Sequence, residues 1–187
     1  MTFEVEQVLR PELGRSERLL WSGMPRQGVR LRPTDALMIP FSLLWGGFAF
    51  FWEYSVTSQG SPFFFSLWGV PFVLMGLYII VGRFFVDSYQ RARTYYGVTD
   101  QRVIISSGLM SREVKSLNLQ GLNDISLTER ADRSGSITFG PSNPMYAMWA
   151  GTSWPGMSKR QAPAFDLIDD ARKVYDVIRE TQQQARG

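Results

Sequence analysis

Asp166, Asp169 and Asp170 form the tightest group of carboxylates in the chain, and such a group is what a divalent-metal site or an acid–base pair is built from. Their setting favours another role. Asp169 and Asp170 open the stretch DDARKVYDVIRETQQQ, in which Ala171, Val174, Tyr175 and Ile178 recur at helical spacing. Capping and dipole complementarity therefore account for them. The chain has no histidine and no cysteine. The usual general base, the commonest nitrogen metal ligand and thiolate chemistry are all missing. Serines are plentiful, but no G-x-S-x-G elbow holds one, and no G-x-x-x-x-G-K-[ST] or G-x-G-x-x-G cradle for a nucleotide occurs. Arg112 and Lys115 would suit a phosphate, but alternating strands routinely carry such residues on a solvated face. The residue types point to a protein that binds rather than catalyses, with no cofactor and no metal.

The charges say where the rest must lie. Net charge is +3, and 17 of the 20 cations are arginine. This small excess is dispersed, whereas a nucleic-acid binder concentrates it on one face, so no nucleic-acid partner is expected. Residues 1–35 hold six arginines and five acids, and residues 88–187 hold thirteen basic and ten acidic side chains. Between them, residues 36–86 carry only Glu53 and Arg83. The opening MTFEVEQVLRPELGRSERLL is acidic and polar, unlike a secretory signal.

The apolar third reads as a transmembrane helical hairpin. Residues 36–54, ALMIPFSLLWGGFAFFWEY, would span about 28 Å as a helix, and residues 62–86, PFFFSLWGVPFVLMGLYIIVGRFFV, about 37 Å. Pro40 and Pro71 suit membrane spans better than soluble helices, and Gly46, Gly47, Gly69 and Gly76 would allow close approach. The competing reading, a buried helical pair, asks a short chain to cover two segments that are apolar on every face. SVTSQGS, residues 55–61, becomes the outer turn. Arg18, Arg26, Arg30 and Arg32 precede the first span and Arg91 and Arg93 follow the second, while the turn has no cation. Both termini should then face the cytoplasm. Arg83 is expected to snorkel to the cytoplasmic surface and Glu53 to reach water beside the turn.

After the second span come short β-rich runs: residues 94–98, 101–107, 112–119, 123–129, 136–140 and 163–168, then the amphipathic helix. In 112–119, Val114, Leu117 and Leu119 share a face only if a slight bulge intervenes. An antiparallel meander with one terminal helix predicts a mixed α+β or all-β domain over residues 87–187, a small open barrel capped by that helix. Two stacked sheets are the alternative. Residues 1–35 form a cytoplasmic N-terminal segment, of which 15–32 either joins the barrel or lies along the membrane.

YYGVTDQRVIISSGLMSREVKSLNL followed by LNDISLTERADRSGSITFG, with the upstream ERLLWSGMPRQGVRLRP, resembles the bacterial pleckstrin-homology-like two-span membrane proteins. The resemblance runs over about residues 14–140 and the terminal helix. It implies a pleckstrin-homology-like fold on the cytoplasmic side and implies no enzymatic activity.

Residues 141–163 depart from that pattern. Their Pro, Gly and Ser are interleaved with Met145, Tyr146, Met148, Trp149, Trp154 and Met157. Met145, Met148, Trp149, Trp154 and Met157 are candidate partner contacts, since methionine adapts to irregular surfaces and tryptophan anchors interfaces; the plainer account is a further strand with Trp154 over the barrel end. Two binding roles follow. One is an accessory subunit, assembly factor or scaffold whose hairpin and domain contact an integral membrane protein complex, with self-association open. The other is a reader of anionic membrane lipid through Arg91, Arg93 and Arg102, although orientation alone already asks for arginines there. A transporter would need oligomers.

Overall fold

β-branched and aromatic runs recur through the second half of the sequence, and the structure turns them into sheets. The computed structural model describes residues 2–29, 31, 35–60, 62–108, 112–140 and 162–186. It divides into two units, one holding residues 29–87 and the other the described residues before and after them.

In the sheet-bearing unit, β1 (Leu19–Gly23), β2 (Tyr95–Thr99), β3 (Arg102–Ser107) and β4 (Glu113–Asn118) form one antiparallel sheet in that order. A second sheet comprises β5 (Ile125–Glu129), β6 (Gly135–Phe139) and β7 (Ala164–Ile168). No ladder among the described residues joins the two into the expected barrel, and the observed arrangement is two antiparallel sheets with a terminal helix. β1 lies in the segment whose place the sequence left open, and its pairing of Trp21 with Val98 and Gly23 with Tyr96 puts it in the first sheet.

Side-chain alternation explains why β3 is buried throughout its middle. Val103 and Ile105 face a core shared with Tyr96, Val98, Ile137, Phe139, Phe165 and Ile168. Ile104 points the other way, onto Val5 and Leu9 of the N-terminal helix α1 (Thr2–Leu9). Phe165 is fully buried at the centre, 4.6 Å from the Tyr96 ring, 5.1 Å from Phe139 and 5.6 Å from Trp21, centroid to centroid. The bulge expected within 112–119 is absent: β4 pairs residue by residue with β3, Val103 opposite Leu117 and Ser106 opposite Val114. Val114 and Leu117 therefore face opposite sides. Leu119 joins the core by leaving the strand in a short 3-10 turn.

The terminal helix α5 (Ala171–Arg186) lays Ala171, Val174 and Ile178 on the shared core. Its last turns are fixed by Gln182, whose amide donates to the Leu119 and Leu122 carbonyls. Gly135 lies closely packed between its neighbouring strand and the helix. A Cβ there would sit 2.3 Å from the Thr128 carbonyl oxygen and 2.9 Å from Ala171 Cβ. Gly135→Ala should cost about 1–3 kcal/mol through overpacking, read as a lower thermal midpoint of the purified protein.

The other unit is a pair of long helices. α2 (Asp35–Ser58) has 24 residues. α3 (Phe63–Leu77) continues through a π turn (Tyr78–Gly82) into α4 (Arg83–Arg91), 29 helical residues in all. The lengths correspond to about 36 and 43 Å, enough to cross a hydrocarbon core. The helices run past both sequence boundaries, 54 and 86. Polarity marked 55–58 as turn, but Ser55 donates to the Phe51 carbonyl and Thr57 to the Glu53 carbonyl. Such back-bonding keeps small polar residues inside a helix. The turn proper begins at Gln59, with Gly60 at a positive φ of 63°.

The helices meet where glycine removes side chains. A Cβ on Gly76 would lie 3.1 Å from Gly46 Cα, and one on Gly46 would lie 2.6 Å from Ile80 Cδ1. Gly47 has nothing within 4 Å of such an atom and faces outward.

Candidate functional site

VTDQR at 98–102 is a structural clasp. The Thr99 hydroxyl accepts from the Gln101 and Arg102 amides, closing the β2–β3 turn, and donates to Glu17 Oε1 at 2.7 Å. Asp100 Oδ1 accepts from the Arg18 amide. Arg102 grips both oxygens of Glu17 at 2.8 Å and also donates to the Glu12 carbonyl. The candidate lipid contact Arg102 thus ties the N-terminal segment to the sheet.

The Glu17 side chain is only 3% exposed. The Arg102 hydrogen bond, foremost, with help from the Gly14 amide and Thr99, outweighs its burial and holds the carboxylate at about 2, below its ordinary 4.5. A carboxylate depressed on folding stabilises the fold above its unfolded value, and that stability is lost as pH falls through the folded value. The window is therefore about pH 4.5 down to 2. Asp132, lowered from 3.8 to about 2 chiefly by Ser134 and then by Arg26, adds to the loss between those two values. Wild-type stability should drop across the window, with Glu17 supplying on the order of 3 kcal/mol. Acid titration of the thermal midpoint should show a shallower fall for Glu17→Gln.

Arg91 and Arg93 end differently from one another. Arg91 is 5% exposed, and its Nη1 and Nη2 donate to the Arg26 and Gly28 carbonyls, each at 2.7 Å. Gln27 donates back to the Arg91 carbonyl. The exposed guanidinium of Arg93 lies 4.2 Å above the Tyr89 ring. Arg91 and Arg102 are engaged by different partners within the chain. Arg112 bonds the Val8 carbonyl, Glu12 and Ser106, while Lys115 lies 3.8 Å from Glu113.

The aspartates separate in the same way. Asp166 accepts from Ser136, Asp169 from Arg26, and Asp170 from Lys173 at the head of α5. Met145, Met148, Trp149, Trp154 and Met157 lie outside the described residues.

What the sequence reading missed sits inside the helix pair. Arg83 does not snorkel. It is 6% exposed, and its Nη1 lies 2.7 Å from Asp35 Oδ1 at the start of α2, with both side chains at 7% exposure or less. Glu53 does not simply turn to water either: its Oε2 is buried without a partner among the described residues. Gly69 makes the room, since a Cβ there would fall 1.7 Å from that oxygen. The clue was available. Asp35 and Arg83 stand at the two ends of the hairpin sequence, which an antiparallel pair of spans brings level.

The outer face contrasts with this interior. Leu37, Leu44, Phe51 and Phe63 are 67–78% exposed, and among the described residues of both helices the apolar windows are only 22% and 11% buried. Helices this apolar that stay uncovered are not core helices of this chain.

The profile of the bacterial PH domain matches residues 36–180. No curated protein matches the chain, and no solved structure does. The match takes in both long helices and β2 to β7. It leaves α1 and β1 outside, although β1 supplies an edge of the first sheet.

Proposed function

The chain belongs to the bacterial PH domain family, and from that premise we propose that it is a non-catalytic, two-span protein of a bacterial inner membrane. Both termini lie in the cytoplasm, and the sheet-bearing unit binds a protein partner there. In this role the chain is an accessory subunit, assembly factor or scaffold of a membrane complex.

One observation carries the membrane half of this reading: the charges are turned in and the apolar side chains out. Asp35 and Arg83 pair with each other, and Glu53 buries one oxygen. That is the arrangement of helices solvated by lipid, where an outward charge is expensive.

Partner binding is favoured over lipid reading by the fate of the arginines. Arg91 and Arg102 spend their guanidinium groups on carbonyls of the chain and on Glu17, so neither is left as a mobile headgroup contact. A hairpin and a domain on one chain can engage one complex twice, and linked contacts raise effective concentration without any single strong patch.

The test is purification from native membranes in mild detergent, with co-purifying proteins quantified for wild type, Trp149→Ala and Trp154→Ala. A stoichiometric membrane partner, reduced in the variants while folding is kept, supports the reading. Lipid alone, or an unchanged partner in both variants, contradicts it.

A further inference from the structure

We propose that Arg83 is the receptor for one phosphate group at the base of the helix pair, a role that rests on the membrane reading above. The side chain is prepared for an oxyanion in a way that the pair with Asp35 does not use up.

A guanidinium carries five N–H groups in one plane. Nη1 reaches Asp35 Oδ1 at 2.7 Å. The Phe84 ring lies 4.4 Å from the guanidinium carbon and covers a face. Nε and Nη2 are buried and have no acceptor among the described residues. Those two nitrogens share one edge of the plane and present parallel donors, the fork that takes two oxygens of a phosphate or carboxylate. Buried charged donors without acceptors are costly, and a half-used guanidinium calls for a ligand that completes it.

Arg83 directly follows the π turn Tyr78–Gly82. One residue added to a helical ladder turns later side chains by roughly 100°.

Location selects phosphate. Asp35 begins the apolar helix α2, so the pair sits where hydrocarbon gives way to headgroups. In the segment leading to it, Val29 and Leu31 are 59% and 62% exposed, and the sequence alternates them with Arg30 and Arg32. The oxyanion abundant at that depth is the lipid phosphodiester. Free phosphate offers the same oxygens and is the other source. Because Asp35 already offsets the charge of Arg83, recognition relies on the fork, and the net charge of the headgroup should matter little.

The experiment uses the full chain, delipidated in mild detergent, after flotation with vesicles has established that it inserts. Thermal midpoints are measured with phosphatidylglycerol, phosphatidylethanolamine, diacylglycerol or inorganic phosphate, for wild type and Arg83→Lys. Lysine keeps a charge for Asp35 but has no fork. Both phospholipids should raise the wild-type midpoint by roughly 5–10 °C at a hundredfold excess over Kd, and diacylglycerol should not. Arg83→Lys should lose most of that rise. If inorganic phosphate reproduces it, the source is a free phosphate and the site stands.

An equal response to diacylglycerol, or a full phospholipid response in Arg83→Lys, overturns the proposal. Should Arg83→Lys fail to fold, the wild-type comparison of phospholipid with diacylglycerol still decides. A chain that does not float with vesicles overturns the membrane reading and this site with it, whereas one that floats but shows no phosphate dependence overturns this site alone.

Discussion

Asp35→Ala is expected to destabilise the helix pair by about 3–5 kcal/mol, the range for stripping one partner from a buried ion pair. The size comes from what remains. Arg83 would stay buried between the helices with its Nη1 also lacking an acceptor, since its partner lies 2.7 Å away on α2 and both side chains are nearly sealed from solvent. The pair need not be strongly stabilising for this to hold, because desolvation offsets much of its attraction. Asp35→Leu with Arg83→Met, which removes both charges and keeps apolar volume, should therefore lie much closer to wild type than Asp35→Ala does. Unfolding by SDS in mixed micelles, followed by far-ultraviolet circular dichroism, gives the comparison. A loss below about 1 kcal/mol in Asp35→Ala is the figure for an exposed pair and would contradict the buried geometry.

Phe165→Ala should unsettle the other unit by a similar amount, about 3–5 kcal/mol. The ring is completely buried and is touched by Trp21, Tyr96 and Phe139, so truncation opens a cavity bounded by both sheets. Domains of this size are typically stable by about 5–15 kcal/mol, so much of the margin goes. Tyr96 adds a polar cost, because its hydroxyl accepts from the Asp166 amide and would be held less firmly. Hydrogen exchange should show β2, β3 and β6 losing protection while α2 and α3 keep theirs. Unchanged protection in the strands would mean that Phe165 is not central to the core.

The strands were legible because each carries its own signal. Residues 101–107 and 123–129 alternate or run apolar between turn residues, and β3 and β5 fall within them. The amphipathic spacing of Ala171, Val174 and Ile178 likewise located α5. Helix ends were less legible, since hydropathy ends a span at Tyr54 whereas backbone bonding carries α2 to Ser58. β1 was uncertain because a short edge strand is defined by its partner, and β2 lies more than seventy residues away.

Site roles were hardest for the same reason. Arg102 looks like any surface cation until Glu17 is placed beside it, and Arg91 until the Arg26 and Gly28 carbonyls are. Asp35 was read as the last residue of a polar segment. Its role appears only when two helices set it level with Arg83.

The central claim is that the two long helices cross a membrane and leave the sheet-bearing unit on the cytoplasmic side. The absence of cysteine allows single-cysteine variants without background. Gln59→Cys lies in the turn between the helices and Arg179→Cys on the exposed side of α5. Labelling of intact spheroplasts with a membrane-impermeant maleimide should modify Gln59→Cys at once and Arg179→Cys only after permeabilisation. Equal labelling of both before permeabilisation, or a chain recovered in the soluble fraction, would contradict the account.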